Sequence, residues 1–445
     1  MTDRRSFLKT FAALPCLGAA SGAPRRAPNV VLILADDMGY GDLSSYGSKD
    51  TRTPKIDSIG AAGVRFTQFY ANAPECTPTR SALLTGRYQQ RFGGLECAIG
   101  IGNVGRYDEA SWLQQRDELG LPATEPTVAR MLKQAGYDTA IIGKWHLGYL
   151  DKFRPGRHGF DEFYGILGGG VDYFTHKEES PLPAMYHNEK PITRDGYLTD
   201  VIAEESVRWL KGRTKAKPFF LYVPFTAPHL PMQAQDGQQT RDHSTYIKMT
   251  ERLDTCVGQI LAQIDAMGTA EDTIVIFMSD NGAIPLGSNG GLRGFKSSVW
   301  EGGIREPFMI RWPAALTAGR TSTQVGIGMD LPPTILAAAG AAPPAGLKFD
   351  GVDLLPVMKG EAPAFPRTLF WRYKRLEARR KAVRSGDLKY VWDGGKEELH
   401  DLAKDPGEQH DLLAARPEAA AKFRAQLAGW EKDVAAPRLK DYPGK

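Results

Sequence analysis

Four short apolar runs, 29–34, 138–142, 218–223 and 273–278, read as strands buried on both faces, being rich in Val, Ile, Leu and Phe and too short for helices. Each passes directly into polar residues of unusual kind: Asp36-Asp37, Gly143-Lys144-Trp145-His146, Thr226-Ala227-Pro228-His229 and Ser279-Asp280-Asn281-Gly282. Between them the apolar period lengthens to that of helices. Over 126–135, Val128, Met131, Leu132 and Ala135 share a stripe and Gly136 supplies a stop, and 199–210 and 246–267 are amphipathic in the same way. This alternation predicts an α/β fold, a doubly wound core whose large, mostly parallel central sheet is flanked by helices. In such a sheet, ligands bind beyond the carboxyl ends of the strands. After about residue 356 the texture changes to short strand-like runs at 369–373, 381–384 and 388–392, with Ser385-Gly386-Asp387 as a turn, then a helix over 417–432. The expected organisation is a catalytic α/β domain over 27–356 and a smaller C-terminal subdomain over 357–445, an antiparallel sheet with one helix.

Composition narrows the function classes. With 445 residues, 42% hydrophobic and 24% charged, the chain can bury a large core, and its net charge of +4 is too small to imply nucleic-acid binding. No apolar run approaches the roughly 20 residues that span a bilayer, so stable membrane insertion is not expected. Residues 1–23 combine Arg4-Arg5, Phe7-Leu8-Lys9, a short apolar stretch and a small-residue end, and resemble a twin-arginine export signal. Partnership with that export machinery and a periplasmic or secreted location follow as expectations. Removal of this segment would leave Cys76, Cys97 and Cys256, an odd number where disulfides are permitted, so at least one is unpaired or chemically special. Cys256 lies at helical spacing with Leu253, Val257, Ile260 and Ile264 and is read as a core thiol.

Asp36, Asp37, Asp280 and Asn281 offer only oxygen, the donor set of Ca²⁺ or Mg²⁺, and no histidine or thiol pair has zinc spacing. Either acidic pair alone is equally well a turn-forming sequence. The stretch Cys76-Thr77-Pro78-Thr79-Arg80-Ser81-Ala82-Leu83-Leu84-Thr85-Gly86-Arg87 carries more information. It places a cysteine at the start of a helix, where unpaired N–H groups favour an anion, with Arg80 one turn on. A buried thiol beside a structural proline, or a thiol nucleophile, is also compatible with it.

This motif resembles the signature of the type I sulfatases of the alkaline-phosphatase superfamily, in which the cysteine is oxidised to formylglycine. The resemblance extends to 29–41, with its two aspartates, and to Gly143-Lys144-Trp145-His146-Leu147-Gly148. It continues through Pro228-His229, Ser279-Asp280-Asn281-Gly282, Leu292-Arg293-Gly294-Phe295-Lys296 and Trp300-Glu301-Gly302-Gly303-Ile304-Arg305.

It implies an alkaline-phosphatase-like fold and a metal, Ca²⁺ with Mg²⁺ as the alternative, held by Asp36, Asp37, Asp280, Asn281 and the formylglycine derived from Cys76. Arg80, Lys144 and Lys296 would hold formylglycine and sulfate oxygens. The hydrated aldehyde would attack sulfur with help from Asp280, His229 would protonate the departing oxygen, and His146 would take the proton whose loss expels sulfate. A formylglycine-generating maturation enzyme is an implied partner.

The Gly- and aromatic-rich stretch 159–174 resembles that of N-acetylgalactosamine-4-sulfatase and bacterial polysaccharide sulfatases, implying a sulfated sugar substrate. Lys144, His229 and Lys296 would contact it at the sulfate. His176, Asp172 and Arg372 are candidates for reading its hydroxyls, and Tyr173, Phe174, Trp300 and Trp371 for apolar faces. His187, His243, His400 and His410 are read as surface groups. A broad arylsulfatase, a phosphate or phosphonate monoester hydrolase, and a silent Ca²⁺-dependent glycan-binding protein are the alternatives.

Overall fold

The computed structural model describes residues 26–180 and 182–444, and the expected export signal lies outside them. The four apolar runs form β1 (Asn29–Ala35), β3 (Asp138–Lys144), β7 (Phe219–Pro224) and β8 (Thr273–Ser279), each extending a residue or two beyond its apolar stretch. They lie side by side and parallel in the order β8-β1-β7-β3. Further strands, β2 (Val64–Tyr70), β4 (Glu162–Ile166), β5 (Met185–His187), β6 (Lys190–Pro191), β9 (Arg305–Arg311), β10 (Arg320–Ser322) and β11 (Gly326–Ile327), complete an eleven-stranded sheet. Strand β9 is antiparallel to both β8 and β2.

The period-two alternation of a two-sided strand shows in β1. Val30, Leu32 and Leu34 enter one hydrophobic cluster, and Val31, Ile33 and Ala35 enter the other. Helices Leu198–Lys211 and His243–Ala266 cover the second face. The longer of these begins three residues before its apolar pattern does, because Asp242 caps it by accepting from Thr245 N at 2.9 Å. Cys256 is fully buried on it, as its spacing predicted. Helices Cys76–Thr85, Val128–Gln134 and Leu331–Ala339 pack on the first face. Among the described residues no helix is long and apolar enough to cross a membrane.

The C-terminal region forms a separate antiparallel sheet, β12 (Thr368–Arg375), β13 (Ala378–Ser385), β14 (Leu388–Asp393) and β15 (Lys396–Asp401), with helix Pro417–Asp433 against it. Strand β15, Lys-Glu-Glu-Leu-His-Asp, carries no apolar alternation and was not anticipated. It places His400 in the interior rather than at the surface, with Nδ1 on His410 O at 2.9 Å and Nε2 on Glu398 at 3.2 Å. Trp371, Val391 and Phe423 join the same hydrophobic cluster as the first face of the large sheet, and Trp371 Nε1 donates to Ala71 O. The small sheet therefore shares its core with the large one.

Candidate active site

The register Ala35↔Ser279 sets Asp36 beside Asp280 at the carboxyl edge, and β7 and β3 bring His229 and Lys144 to the same edge. Helix Cys76–Thr85 starts there, with Cys76 as its first residue and Arg80 one turn in, both buried. Asp37 and His146 leave their strands in the left-handed region, at φ 66° and 57°, and Ser297, beside Lys296, has φ 71°. Three non-glycine residues in that region are strained, and strain of this kind collects at functional sites. Asp37 is fixed through its backbone, the N–H donating to Asp280 Oδ1 at 3.3 Å and the carbonyl accepting from Tyr246 OH at 2.9 Å.

The charges interlock. Arg80 donates twice to Asp280 Oδ2, at 2.9 and 2.7 Å, and once to the Lys144 carbonyl, while the Lys144 ammonium bonds Asp36. Lys296 Nζ lies 2.8 Å from Asp37 Oδ2 and 3.7 Å from Cys76 Sγ, and Cys76 Sγ lies 3.4 Å from Asp36 Oδ1. Burial alone would raise Asp37, but Lys296 and then His229 bring it down to about 2. Asp280 goes the other way, to about 6, because burial and the neighbouring Asp36 outweigh Arg80. The Cys76 thiol is pushed well above its ordinary value by burial, then by Asp280 and Asp36, so a plain thiolate is disfavoured here.

The two histidines are oriented by main-chain oxygens. His146 Nε2 sits 2.9 Å from Ile99 O and its buried Nδ1 has no partner among the described residues; Nε2 therefore donates and Nδ1 keeps a free lone pair. His229 Nδ1 donates to Leu230 O at 2.6 Å, and Nε2 faces Asp37 Oδ2 at 3.6 Å. Burial depresses both histidines, His146 well below its usual value with Lys144 as the next cause, and His229 to about 3 with Lys296 as the next. Tyr173 OH donates to Thr226 O and His229 O, pinning the loop that carries His229.

Ligand atoms of Asp36, Asp37, Cys76 and His229 all lie within 4.8 Å of one another. Asn281 adds an orphan: its Nδ2 donates to Asp37 Oδ1 at 2.7 Å, while its buried Oδ1 has no partner among the described residues. An unpaired buried carbonyl oxygen beside clustered carboxylates fits a hard divalent cation. His229 enters the donor cluster although it was expected as an acid and a sulfate contact, not as a ligand.

The remaining expected residues divide. Asp172 lines the cleft, but its Oδ1 accepts from Phe174 N and Thr175 N in a local turn and its Oδ2 from the distant Gln233 Nε2, so both oxygens are already engaged. His176 lies outside the cleft, its Nε2 on Gly196 O, in a neighbouring groove. Arg372 is also outside. Alternation along β12 turns it away from the Trp371 and Tyr373 face, onto Glu96 at 2.6 and 2.8 Å and Glu431 at 3.4 Å. Trp371 is wholly buried, and Trp300 lies beneath the Arg293 guanidinium.

Glu75 was missed. Its carboxylate accepts from Ala98 N, Ser297 Oγ, Tyr373 OH and Arg375, tying three segments to the start of the Cys76 helix. A carboxylate wedged between Pro74 and Cys76 was its only trace in the sequence. The glycines of 168–170 have a packing reason: a Cβ on Gly169 would stand 2.7 Å from His146 Cε1, and one on Gly170 3.2 Å from His229 Cε1.

A buried cluster of carboxylates and cations opens on a 750 Å³ cleft at the carboxyl ends of a mostly parallel sheet. Such a fold and site define a hydrolase of anionic esters in the alkaline-phosphatase-like class. The profile of the family described as Sulfatase matches residues 28–341, and that described as N-sulphoglucosamine sulphohydrolase, C-terminal, matches 294–432. The chain belongs to the sulfatase family and is a sulfuric ester hydrolase. It is 38% identical over 363 residues to N-acetylgalactosamine-6-sulfatase of Canis lupus familiaris, covering 77% of this chain and 68% of that one. It is 32% identical over 454 residues to arylsulfatase A of Homo sapiens, covering 89% and 85%. Among solved structures it resembles Ps i-CgsB in complex with k-i-k-neocarrahexaose, with a TM-score of 0.84, 29% identity and coverage of 93% and 94%.

Proposed function

We propose that this sulfatase removes sulfate from a sulfated carbohydrate, using formylglycine derived from Cys76 and a divalent cation, Ca²⁺ before Mg²⁺. The observation that carries the reading is the setting of Cys76, first residue of a buried helix, with Asp36 and Lys296 against its Sγ. Relatives described as N-acetylgalactosamine-6-sulfatase and a neighbour bound to k-i-k-neocarrahexaose support a sugar substrate.

Asp36, Asp37, Asp280, Asn281 and residue 76 would hold the cation, which would supply Lewis acidity toward the negative charge that develops at the ester. A hydrated aldehyde at residue 76 supplies a geminal diol nucleophile. Arg80 and Lys144 hold Asp280 and Asp36 in place through the bonds described. Lys296, paired with Asp37 on the cleft wall, is the cation placed to extend to a sulfate oxygen as well and offset charge as the S–O bond breaks. His146 keeps Nδ1 unprotonated and serves as a base. His229 is neutral alone, but a sulfate seated beside Lys296 offsets that cation's effect, so that Nε2 can carry a proton to the departing oxygen. The twin-arginine-like start of the sequence supports export to the periplasm or outside, after maturation by a formylglycine-generating enzyme.

The test joins the mass of the peptide containing residue 76 to turnover of a sulfated sugar, a nitrophenyl sulfate and a nitrophenyl phosphate. An aldehyde at residue 76, preference for sulfate over phosphate, and loss of turnover in a folded Cys76→Ala variant are expected. Full activity in that variant would remove the nucleophile assignment.

A further inference from the structure

The cations nearest residue 76 are all engaged: Arg80 with Asp280, Lys144 with Asp36, Lys296 with Asp37, and Arg375 with Glu75. The basic hairpin formed by β12 and β13 invites a polyanion at first sight. Its Arg372, Lys374, Arg379, Arg380 and Lys381 are each matched by an acid, however, so it presents little unbalanced charge. Arg106 differs. It lines the same cleft as Cys76, His229 and Lys296 and is half-buried, yet its guanidinium has no hydrogen bond or ion pair among the described residues. The four acids that share the cleft do not pair with it: Asp37 is held by Lys296, Glu178 accepts from Tyr149 OH, Asp172 is bonded to its own turn and to Gln233, and Glu179 makes no ion pair with it.

The loop that carries Arg106 is built around it. Gly100 and Val104 exchange two backbone hydrogen bonds, of 2.7 and 3.1 Å, closing the loop, and the Arg106 carbonyl is anchored by Leu376 N at 2.7 Å. Gly100 does not lie in the left-handed region, so its backbone does not require glycine. A Cβ there would stand 3.1 Å from Arg106 Nε and 3.0 Å from Val104 Cβ, so the missing side chain is the space in which the guanidinium lies. Ile99 and Ile101 of the same loop also face the cleft, lowering the local dielectric in which the charge acts. A partly desolvated, unpaired guanidinium presents a planar fork matched to a two-oxygen anion. Lys177, exposed on the same cleft and also without an ion pair among the described residues, adds attraction of the same sign.

We infer that the substrate carries a second anionic group beyond the scissile ester, a carboxylate or another sulfate, and that Arg106 receives it. This deepens the carbohydrate reading above and rests on it. The substrate class becomes a sugar bearing at least two negative charges, with Arg106 as a specificity residue.

The test compares kcat/KM on three oligosaccharides of one backbone: one with a single sulfate, one with a second sulfate, and one with a uronate carboxylate beside the sulfate. A nitrophenyl sulfate is run alongside. Wild type, Arg106→Gln and Arg106→Lys are measured, and ratios taken within each protein cancel any loss of folded enzyme. Wild type should favour one or both doubly anionic sugars over the singly sulfated one by about 10- to 100-fold, chiefly through KM. The two doubly anionic arms tell sulfate from carboxylate. Arg106→Gln should bring the ratio close to one, and Arg106→Lys should keep part of it. An unchanged ratio in Arg106→Gln, or no preference in wild type, overturns the assignment of Arg106 while leaving the carbohydrate reading intact. Turnover of the aryl sulfate with no sugar turned over overturns the carbohydrate reading itself, and this inference with it.

Discussion

Gly169→Ala tests whether the glycine run exists to seat His146. The new methyl would begin 2.7 Å from Cε1 and 2.8 Å from Nε2 of that ring. Carbon atoms settle at about 3.5–4.0 Å, so the ring or the loop must yield by roughly 1 Å. Nε2 is 2.9 Å from Ile99 O, and a displacement of that size carries it out of hydrogen-bond range unless the loop follows. Gly169 has no left-handed φ, so the substitution adds no backbone strain, and on that count alone alanine would stabilise by about 0.4–1 kcal/mol. Overpacking of this kind costs about 1–3 kcal/mol, so the variant should melt slightly below wild type. Misplacing a reacting group by about 1 Å costs on the order of 10²-fold, and kcat should fall by that order with KM moving less. Steady-state kinetics on an aryl sulfate beside a thermal melt reads both quantities. Gly170→Ala, whose Cβ would meet His229 at 3.2 Å, should be milder. Wild-type turnover within about threefold from a folded Gly169→Ala protein would refute the claim that this position sets the histidine.

Two further outcomes follow from the geometry. Asn281→Ala removes the unpaired buried oxygen and should weaken divalent-cation binding, read by calorimetry on the chelated protein; unaltered affinity would take Asn281 out of the donor set. Asp254 accepts from Lys55 N and Ile56 N through one oxygen, yet burial lifts its carboxyl from 3.8 to about 6. The folded state then holds the proton more tightly than the unfolded state, so stability should decline as pH rises from about 4 to 6. Asp254→Asn keeps the accepting oxygen and should flatten that part of the melting-temperature profile. At pH 7 it should add about 1 kcal/mol, less than the full shift implies because the residue lines a shallow surface groove where solvent screens it. A variant whose profile still tracks wild type between pH 4 and 6 would contradict this.

The four central strands and the polar residues at their ends were legible because both signals are local: an apolar run that can only be a doubly buried strand, and a chemically unusual residue directly after it. The Cys76 helix and its arginine were legible for the same reason, since one turn of helix fixes their spacing. Strand β15 was not, because its burial is made by partners; nothing in Lys-Glu-Glu-Leu-His-Asp foretells that Asp411 and His410 will satisfy it. Strand register decided the rest. Ala35 facing Ser279 makes Asp36 and Asp280 neighbours, and a shift of one residue would have parted them. Of the candidates for reading the sugar, Asp172 lines the cleft while His176 and Arg372 lie outside it, because residue type does not determine facing. Alternation on β12 sends Arg372 to Glu96, whereas Arg375, three residues on and on the opposite face, reaches Glu75 and the cleft. Residue type and short spacing thus determined the chemistry of the site. Which side chains remain unpaired to use it, Arg106 and Asn281 Oδ1 among them, depends on every neighbour within a few ångströms, and only the packed tertiary structure brings those neighbours together.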